Sequence, residues 1–442
     1  MIPGNEELRN SLIRRIKASR EASDSLFGML SPDALTSRPI PARHRIIFYL
    51  GHLEAFEWNL LARTTMGLDP FNEPFDQLFA LGIDPVDGGL PSDIPSDWPS
   101  VSEIMAYNQR VRNTVDGLLK QVDFDESEDL HQGLVFEVAI EHRMMHAETL
   151  AYMLHGVPVE SKQTPANAKS RVPDRDTRPE SVDIPEGVAT LGQQRGDGFG
   201  WDNEFGEVLD AAAAFRIDRF NVTNGQYLEF IRAGGYQDSA FWNQNDWKWI
   251  EQEGVRHPHY WNRDRSTHKE VWMLGDMFGI RPLPLSWPVY VSHAEAAAYA
   301  LWKGHTLPTE AQLHRATYGT PEGTERHFPW GPEPPDPERG NFNGYQWNPT
   351  PVGAYPDGDS AFGVADLVGN GWEWTSTPFE PLHGFERFHF YPGYSADFFD
   401  GKHYVMKGGS ARTAASMLRR SFRNWFQPHY PYTYSSFRLV EA

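Results

Sequence analysis

The chain has 442 residues, 40% hydrophobic and 23% charged, enough for two or three domains with a large core of ordinary globular composition. A formal net charge of −20 argues against nucleic acid and anionic membranes as partners. The absence of cysteine excludes disulfides, thiolate metal ligands and a cysteine nucleophile. The start, Met1 to Glu7, shows no basic-then-apolar leader, and no apolar run is long enough to span a bilayer, so a cytoplasmic location without a membrane partner is expected.

Leu8, Leu12, Ile13 and Ile16 recur at helical spacing and predict a helix near residues 5–29. Ile46, Ile47, Leu50, Leu53, Phe56, Leu60 and Leu61 predict a second near 43–66. The connection 67–100, rich in Pro, Gly and Asp, is too long for a plain bundle turn and is a candidate cover for a site. A third helix is predicted near 101–121, with Ser100 or Ser102 as N-cap, and a fourth near 133–155. Four such helices imply an antiparallel bundle over residues 1–156. Residues 157–182, polar and Pro-bearing, read as a linker. From 183 to 442 the chain breaks into short segments rich in Gly, Pro, Trp and Asn, with helices near 223–233 and 292–303. This is the texture of an irregular α+β domain whose loops carry function. The expected fold class is therefore α+β, in two domains.

The strongest chemical signal lies on the fourth helix. His142 and His146 are four residues apart, so they stack on one helical face and can share a metal ion. His52, in Gly51-His52-Leu53, sits on a second apolar helix that can pack against the first. Three neutral imidazoles without a thiolate suit Fe(II), Zn(II) or Cu(II) and leave coordination positions open. His44 and His155 lie nearby and read as surface or packing residues. With 15 Trp and 13% aromatic residues, the chain can line clefts with rings or build aromatic cores.

Several stretches carry a resemblance. They are Val222-Thr223-Asn224, Gly304-His305-Thr306-Leu307-Pro308-Thr309-Glu310, Phe328-Pro329-Trp330-Gly331, Gly369-Asn370-Gly371-Trp372-Glu373-Trp374-Thr375, and Gly408-Gly409-Ser410 followed by Arg420-Ser421-Phe422-Arg423-Asn424-Trp425. Together they resemble the formylglycine-generating-enzyme-like fold, a variant of the C-type lectin fold, over about 180–442. The namesake oxidase binds copper through cysteines, which this chain lacks, so that activity is excluded. The first part resembles a DinB-like four-helix bundle. DinB-like followed by formylglycine-enzyme-like is the order of the EgtB family, non-heme iron sulfoxide synthases of ergothioneine biosynthesis.

The resemblance implies that His52, His142 and His146 hold Fe(II), and that the reaction joins hercynine (Nα-trimethylhistidine) to a small thiol with O2. It implies that Tyr391 is a proton or hydrogen-bond donor to the reacting oxygen. Tyr394, Asn424 and Trp425 would line the pocket for the trimethylated ammonium, which rings bind by cation–π contact. Met145 stands where a polar substrate contact is common in the family. Phe426 and Tyr430 stand where one branch places an acidic and a basic residue to grip γ-glutamylcysteine, so this chain looks closer to the branch that takes free cysteine. Arg110 or Arg112 could supply a replacement grip. Three alternatives remain open: a selenoneine synthase using a selenosugar, a non-catalytic lectin-like binding protein with a degenerate bundle, and a metal-dependent thiol transferase that needs no O2.

Overall fold

A computed structural model of the chain describes residues 4–80, 91–165, 168, 172, 178–264 and 271–441. It divides into two compact units, Met1–Pro165 and Ala166–Ala442.

The first unit contains α1 (Asn5–Phe27), α2 (Ile46–Glu57), the short α3 (Glu73–Leu78), α4 (Val101–Gln121) and α5 (Leu134–His155). α2 runs on as a π-helix over Trp58–Thr65. α1 and α2 each pack against both α4 and α5, which makes the four long helices a bundle. α4 buries Ile104, Tyr107, Val111, Val115 and Leu119, a stripe at helical spacing. Its N-cap is Ser100, whose hydroxyl accepts from the Glu103 amide while the Glu103 carboxylate accepts from the Ser100 amide. By contrast, α2 and α5 are buried almost all round, so every polar side chain on them needs a partner or a purpose.

Most of those partners are charges. Glu57 on α2 accepts from Arg143 Nε at 2.8 Å and Arg20 Nη2 at 2.7 Å. Glu54 accepts from Arg143 Nη2 at 3.1 Å and Arg112 Nε at 2.9 Å. Desolvation offsets much of the Coulomb attraction in such pairs. A slipped helix would nevertheless leave one charge buried and unpaired, at a cost of about 3–5 kcal/mol, so the network selects one register of α1, α4 and α5 around α2.

The expected linker starts too early. Gln163 N donates to Met29 O, Ser31 N donates to Ser161 O, and the Lys162 ammonium donates to Leu154 O at the end of α5. Backbone pairing thus keeps residues 157–165 with the helices despite their low apolar content. Most of 166–177 lies outside the described residues, as does 81–90 of the long connection.

In the second unit the described strands are β1 (Ser181–Ile184), β2 (Gly187–Leu191), β3 (Val208–Ala212), β4 (Phe215–Asp218), β5 (Trp261–Asp264), β6 (Val271–Asp276), β7 (Gly279–Pro282), β8 (His305–Thr306), β9 (Trp372–Pro378), β10 (Tyr404–Lys407), β11 (Asn424–Phe426), β12 (Ser435–Ser436) and β13 (Val440–Glu441). The helices are α6 (Asn224–Arg232), α7 (Gln244–Gln252), α8 (His293–Lys303) and α9 (Glu310–Tyr318). β1-β4-β13-β8 form one sheet, with Ile184, Ile217 and Val440 packed on Leu313 and Ala316 of α9. β11-β10-β9-β12 form another, in which Val405 pairs with Trp425 and Met406 with Asn424.

The Gly369-Asn370-Gly371-Trp372-Glu373-Trp374 motif is a structural staple. Asn370 takes a left-handed conformation, φ 65°, and its Oδ1 accepts from the Thr350 amide at 2.8 Å. A Cβ at Gly369 would meet Asn341 O at 2.5 Å. Glu373 receives Arg438 in a buried bidentate pair at 2.6 and 2.7 Å, and Trp374 Nε1 donates to Val291 O. Such contacts let short strands and long loops hold a defined shape.

Candidate functional site

α2 presents Phe48, His52 and Phe56 four residues apart on one face, and α5 presents His142 and His146 likewise. Phe48 stacks on His52 with centroids 4.8 Å apart, and Phe56 on His142 at 3.5 Å. The three imidazole centroids lie 4.5, 4.8 and 5.2 Å from one another. One donor atom from each residue falls within 4.8 Å of the other two. The structure thus brings together the three histidines singled out from the sequence.

These residues are only 6%, 3% and 8% exposed, so an imidazolium here is poorly solvated. Burial pushes the His52 pKa down to about 4 and those of His142 and His146 well below the ordinary histidine value; neighbouring positive charges add to the effect. The neutral ring, which offers a lone pair to a metal, is the form present at neutral pH. His52 Nδ1 lies 2.7 Å from Phe79 O, a partner that can only accept. That assigns the proton to Nδ1 and leaves the Nε2 lone pair facing inward. His52 Nε2 and His146 Nε2 are 3.3 Å apart. Two ligands ~2.1 Å from one ion at right angles lie ~3 Å apart, so this pair of donors fits a first-row divalent cation. Among the described residues His146 Nδ1 is buried without a hydrogen-bond partner, unlike His52 Nδ1. His44 packs on Phe48 at 4.4 Å, outside the cluster.

In the second unit an aromatic wall forms. Tyr394 stacks on Trp201 at 3.9 Å and meets Trp425 edge-on at 5.4 Å. Trp425 in turn stacks on Phe379 at 4.2 Å. Tyr391 lies 5.8 Å from Tyr394 and 6.4 Å from Trp201. Burial, with the Asp202 carboxylate nearby, pushes the Tyr391 phenol up to about 12, so it carries its proton across the physiological range. Three of the predicted residues, Tyr391, Tyr394 and Trp425, therefore share one cluster. Asn424 turns its Oδ1 back to accept from the Trp425 amide at 2.9 Å. Phe426 and Tyr430 stack on each other at 5.1 Å. Met145 is half-buried on α5 beside His146. Arg112 does not stand free for a substrate carboxylate: both Asp24 and Glu54 hold it. Arg110 is exposed, with its guanidinium over the Phe71 ring.

Sequence reasoning missed Trp201 and Asp202. Trp201 is the floor beneath Tyr394, and Asp202 Oδ1 accepts from Ser395 Oγ at 2.6 Å, tying down the tyrosine loop. Their signal was the dense Gly200-Trp201-Asp202-Asn203-Glu204 stretch, whose acids and amide are all buried. Burial lifts the Asp202 carboxyl to about 6. A raised folded-state pKa means that the favourable contribution is complete below the ordinary value of 3.8 and is lost as pH rises through about 6. Asp202→Asn keeps an oxygen for Ser395 and cannot ionise. At pH 7.5 this variant is expected to be more stable than wild type by about 1–3 kcal/mol, a gap that closes toward pH 4. Urea unfolding at both pH values checks it, and a wild type more stable at pH 7.5 contradicts it.

Comparison with known proteins follows the same division. The sulfatase-modifying factor enzyme 1-like domain family matches residues 167–442, and the DinB superfamily matches residues 15–150. A hercynine oxygenase of Mycobacterium tuberculosis is 38% identical over 241 residues, 54% of this chain and 55% of that protein. A hercynine oxygenase of Mycolicibacterium smegmatis is 35% identical over 320 residues, 70% of this chain and 72% of that protein. Ergothioneine biosynthesis protein 1 of Neurospora crassa is 29% identical over 497 residues, 93% of this chain and 55% of that protein. Fold and matches together define a DinB bundle joined to a sulfatase-modifying-factor-like domain. The chain belongs to the hercynine oxygenase family. It spans little more than half the length of the Mycobacterium tuberculosis and Neurospora crassa relatives.

Proposed function

We propose that this protein is a non-heme Fe(II)- and O2-dependent sulfoxide synthase that forms a C–S bond between hercynine and a small thiol, cysteine by preference. The observation that carries this reading is the buried cluster of three neutral histidines in a chain of this family. His52, His142 and His146 would hold Fe(II), which when bound acidifies a thiol and supplies the electrons that O2 needs. Trp425 and Tyr394 would bind the trimethylammonium group of hercynine, at roughly 0.5–2 kcal/mol per good ring contact. Asn424 would orient the substrate beside them, and the protonated Tyr391 would donate to the reacting oxygen.

The choice of thiol is argued from Phe426 and Tyr430. Two stacked rings offer no charge to the additional carboxylate and amine of γ-glutamylcysteine. Each ionic group desolvated without a partner costs roughly 1–3 kcal/mol. Cysteine is therefore expected to exceed γ-glutamylcysteine in kcat/KM by about 10- to 100-fold. The experiment is anaerobic iron loading, then O2 and hercynine with cysteine, γ-glutamylcysteine and a selenosugar in competition, read by mass spectrometry. Preference for the dipeptide refutes the cysteine assignment. Turnover with the selenosugar alone makes the protein a selenoneine synthase. Thiol transfer without O2 consumption, or no iron binding at all, rejects the synthase reading.

A further inference from the structure

We propose that Gly51 and Asp76 are positioning residues for the metal centre, together holding the Phe79 carbonyl against His52 Nδ1 so that Nε2 faces the ion. The proposal rests on the metal-binding reading of the three histidines.

The contact to be explained is the 2.7 Å separation between His52 Nδ1 and Phe79 O. The partner of a ligand's second nitrogen sets its tautomer and ring angle. Here that partner is a backbone atom at the end of α3, a six-residue helix too short to be stable alone. Asp76 holds α3 in place. Its side chain is 1% exposed. Asp76 Oδ1 accepts from Tyr107 of α4 at 2.8 Å, and Oδ2 accepts from Trp58 Nε1 of the π-helix at 3.0 Å. Its main-chain oxygen accepts from Asn59 Nδ2 at 3.1 Å. One carboxylate thereby ties α3 both to the helix that carries His52 and to α4.

Gly51 sets the depth of the approach. A Cβ there would lie 2.6 Å from three carbons of the Phe79 ring, where real Cβ contacts do not occur. The ring is fully buried and hemmed in by Phe48, Phe75 and Trp98, so it has nowhere to retreat. Glycine inside a helix is less favourable than alanine. The close approach of Phe79 is what requires it here. An alanine would push Phe79 outward and draw its carbonyl off His52.

The test is titration of the metal-free protein with Co(II), reading affinity and the visible ligand-field spectrum, beside the thermal midpoint of each variant. Gly51→Ala is expected to weaken Co(II) binding by about 10- to 100-fold and to alter the spectrum. The pair Gly51→Ala with Phe79→Leu is expected to regain most of the affinity, because a smaller side chain makes room while the carbonyl remains. Asp76→Asn is expected to weaken binding in the same direction, and it stands as the second variant should Gly51→Ala not fold. Val115→Ala, in the α4 core, is expected to lower the thermal midpoint with Co(II) affinity unchanged. Wild-type affinity and spectrum in Gly51→Ala, no recovery in the double variant, or an equal loss in Val115→Ala overturns the proposal. A wild type that takes up neither Co(II) nor Fe(II) rejects the metal reading itself.

Discussion

Replacing His142 with alanine is expected to abolish stoichiometric Fe(II) binding and turnover while leaving the helical unit folded. His142 is one of three donors, and among the described residues no other His, Asp or Glu joins the cluster. Two imidazoles alone leave the ion mostly solvated and exchangeable. The structural penalty is separate and smaller. The ring packs face to face on Phe56 at 3.5 Å, so its loss opens a cavity worth about 2–3 kcal/mol. The Arg20, Glu54, Glu57 and Arg143 ion pairs are made among those four side chains and should keep the helices in register. Metal analysis after dialysis, with circular dichroism on the same sample, separates the two effects. Full iron occupancy in a variant lacking all three histidines would sink the assignment.

Tyr391→Phe is expected to have the second large effect, and it tests chemistry more than packing. The substitution keeps the ring in its cluster with Tyr394 and Trp201 and removes only the hydroxyl. Hercynine and thiol binding should persist, since the trimethylammonium group is assigned to Trp425 and Tyr394. Loss of a proton donor typically costs about 10²–10⁴ in rate, so sulfoxide formation should fall by that factor or divert to simple thiol oxidation. The phenol of wild type is pushed up to about 12, so no alkaline loss of activity from this group is expected near neutral pH. Product ratios by mass spectrometry, with single-turnover rates, decide the matter. A variant with the wild-type ratio and rate would reduce Tyr391 to a packing residue.

The amino-acid sequence by itself determined the helices and the pairing of His142 with His146, because both depend on neighbours three and four residues apart. The predicted helix near 101–121 is α4 at Val101–Gln121, and its cap at Ser100 is a contact spanning three residues. The two-part organisation was legible for a related reason. A stripe of apolar residues at helical spacing gives way to short segments punctuated by Gly, Pro and Asn, and within 369–374 the left-handed backbone falls on Gly369 and Asn370, residue types suited to it. Tertiary structure alone decided the rest. The support of His52 comes from a main-chain oxygen at Phe79, and a carbonyl leaves no mark in the residue pattern. Trp201 lies under Tyr394 from 193 positions away, and Arg143 finds Glu54 and Glu57 across the bundle. Separation along the chain likewise hid the commitment of Arg112 to Asp24 and Glu54 within the bundle. Local periodicity is written in the chain because one helix turn enforces it. Long-range partnership is chosen by burial, where each charge and ring settles on whichever distant group offsets the loss of water.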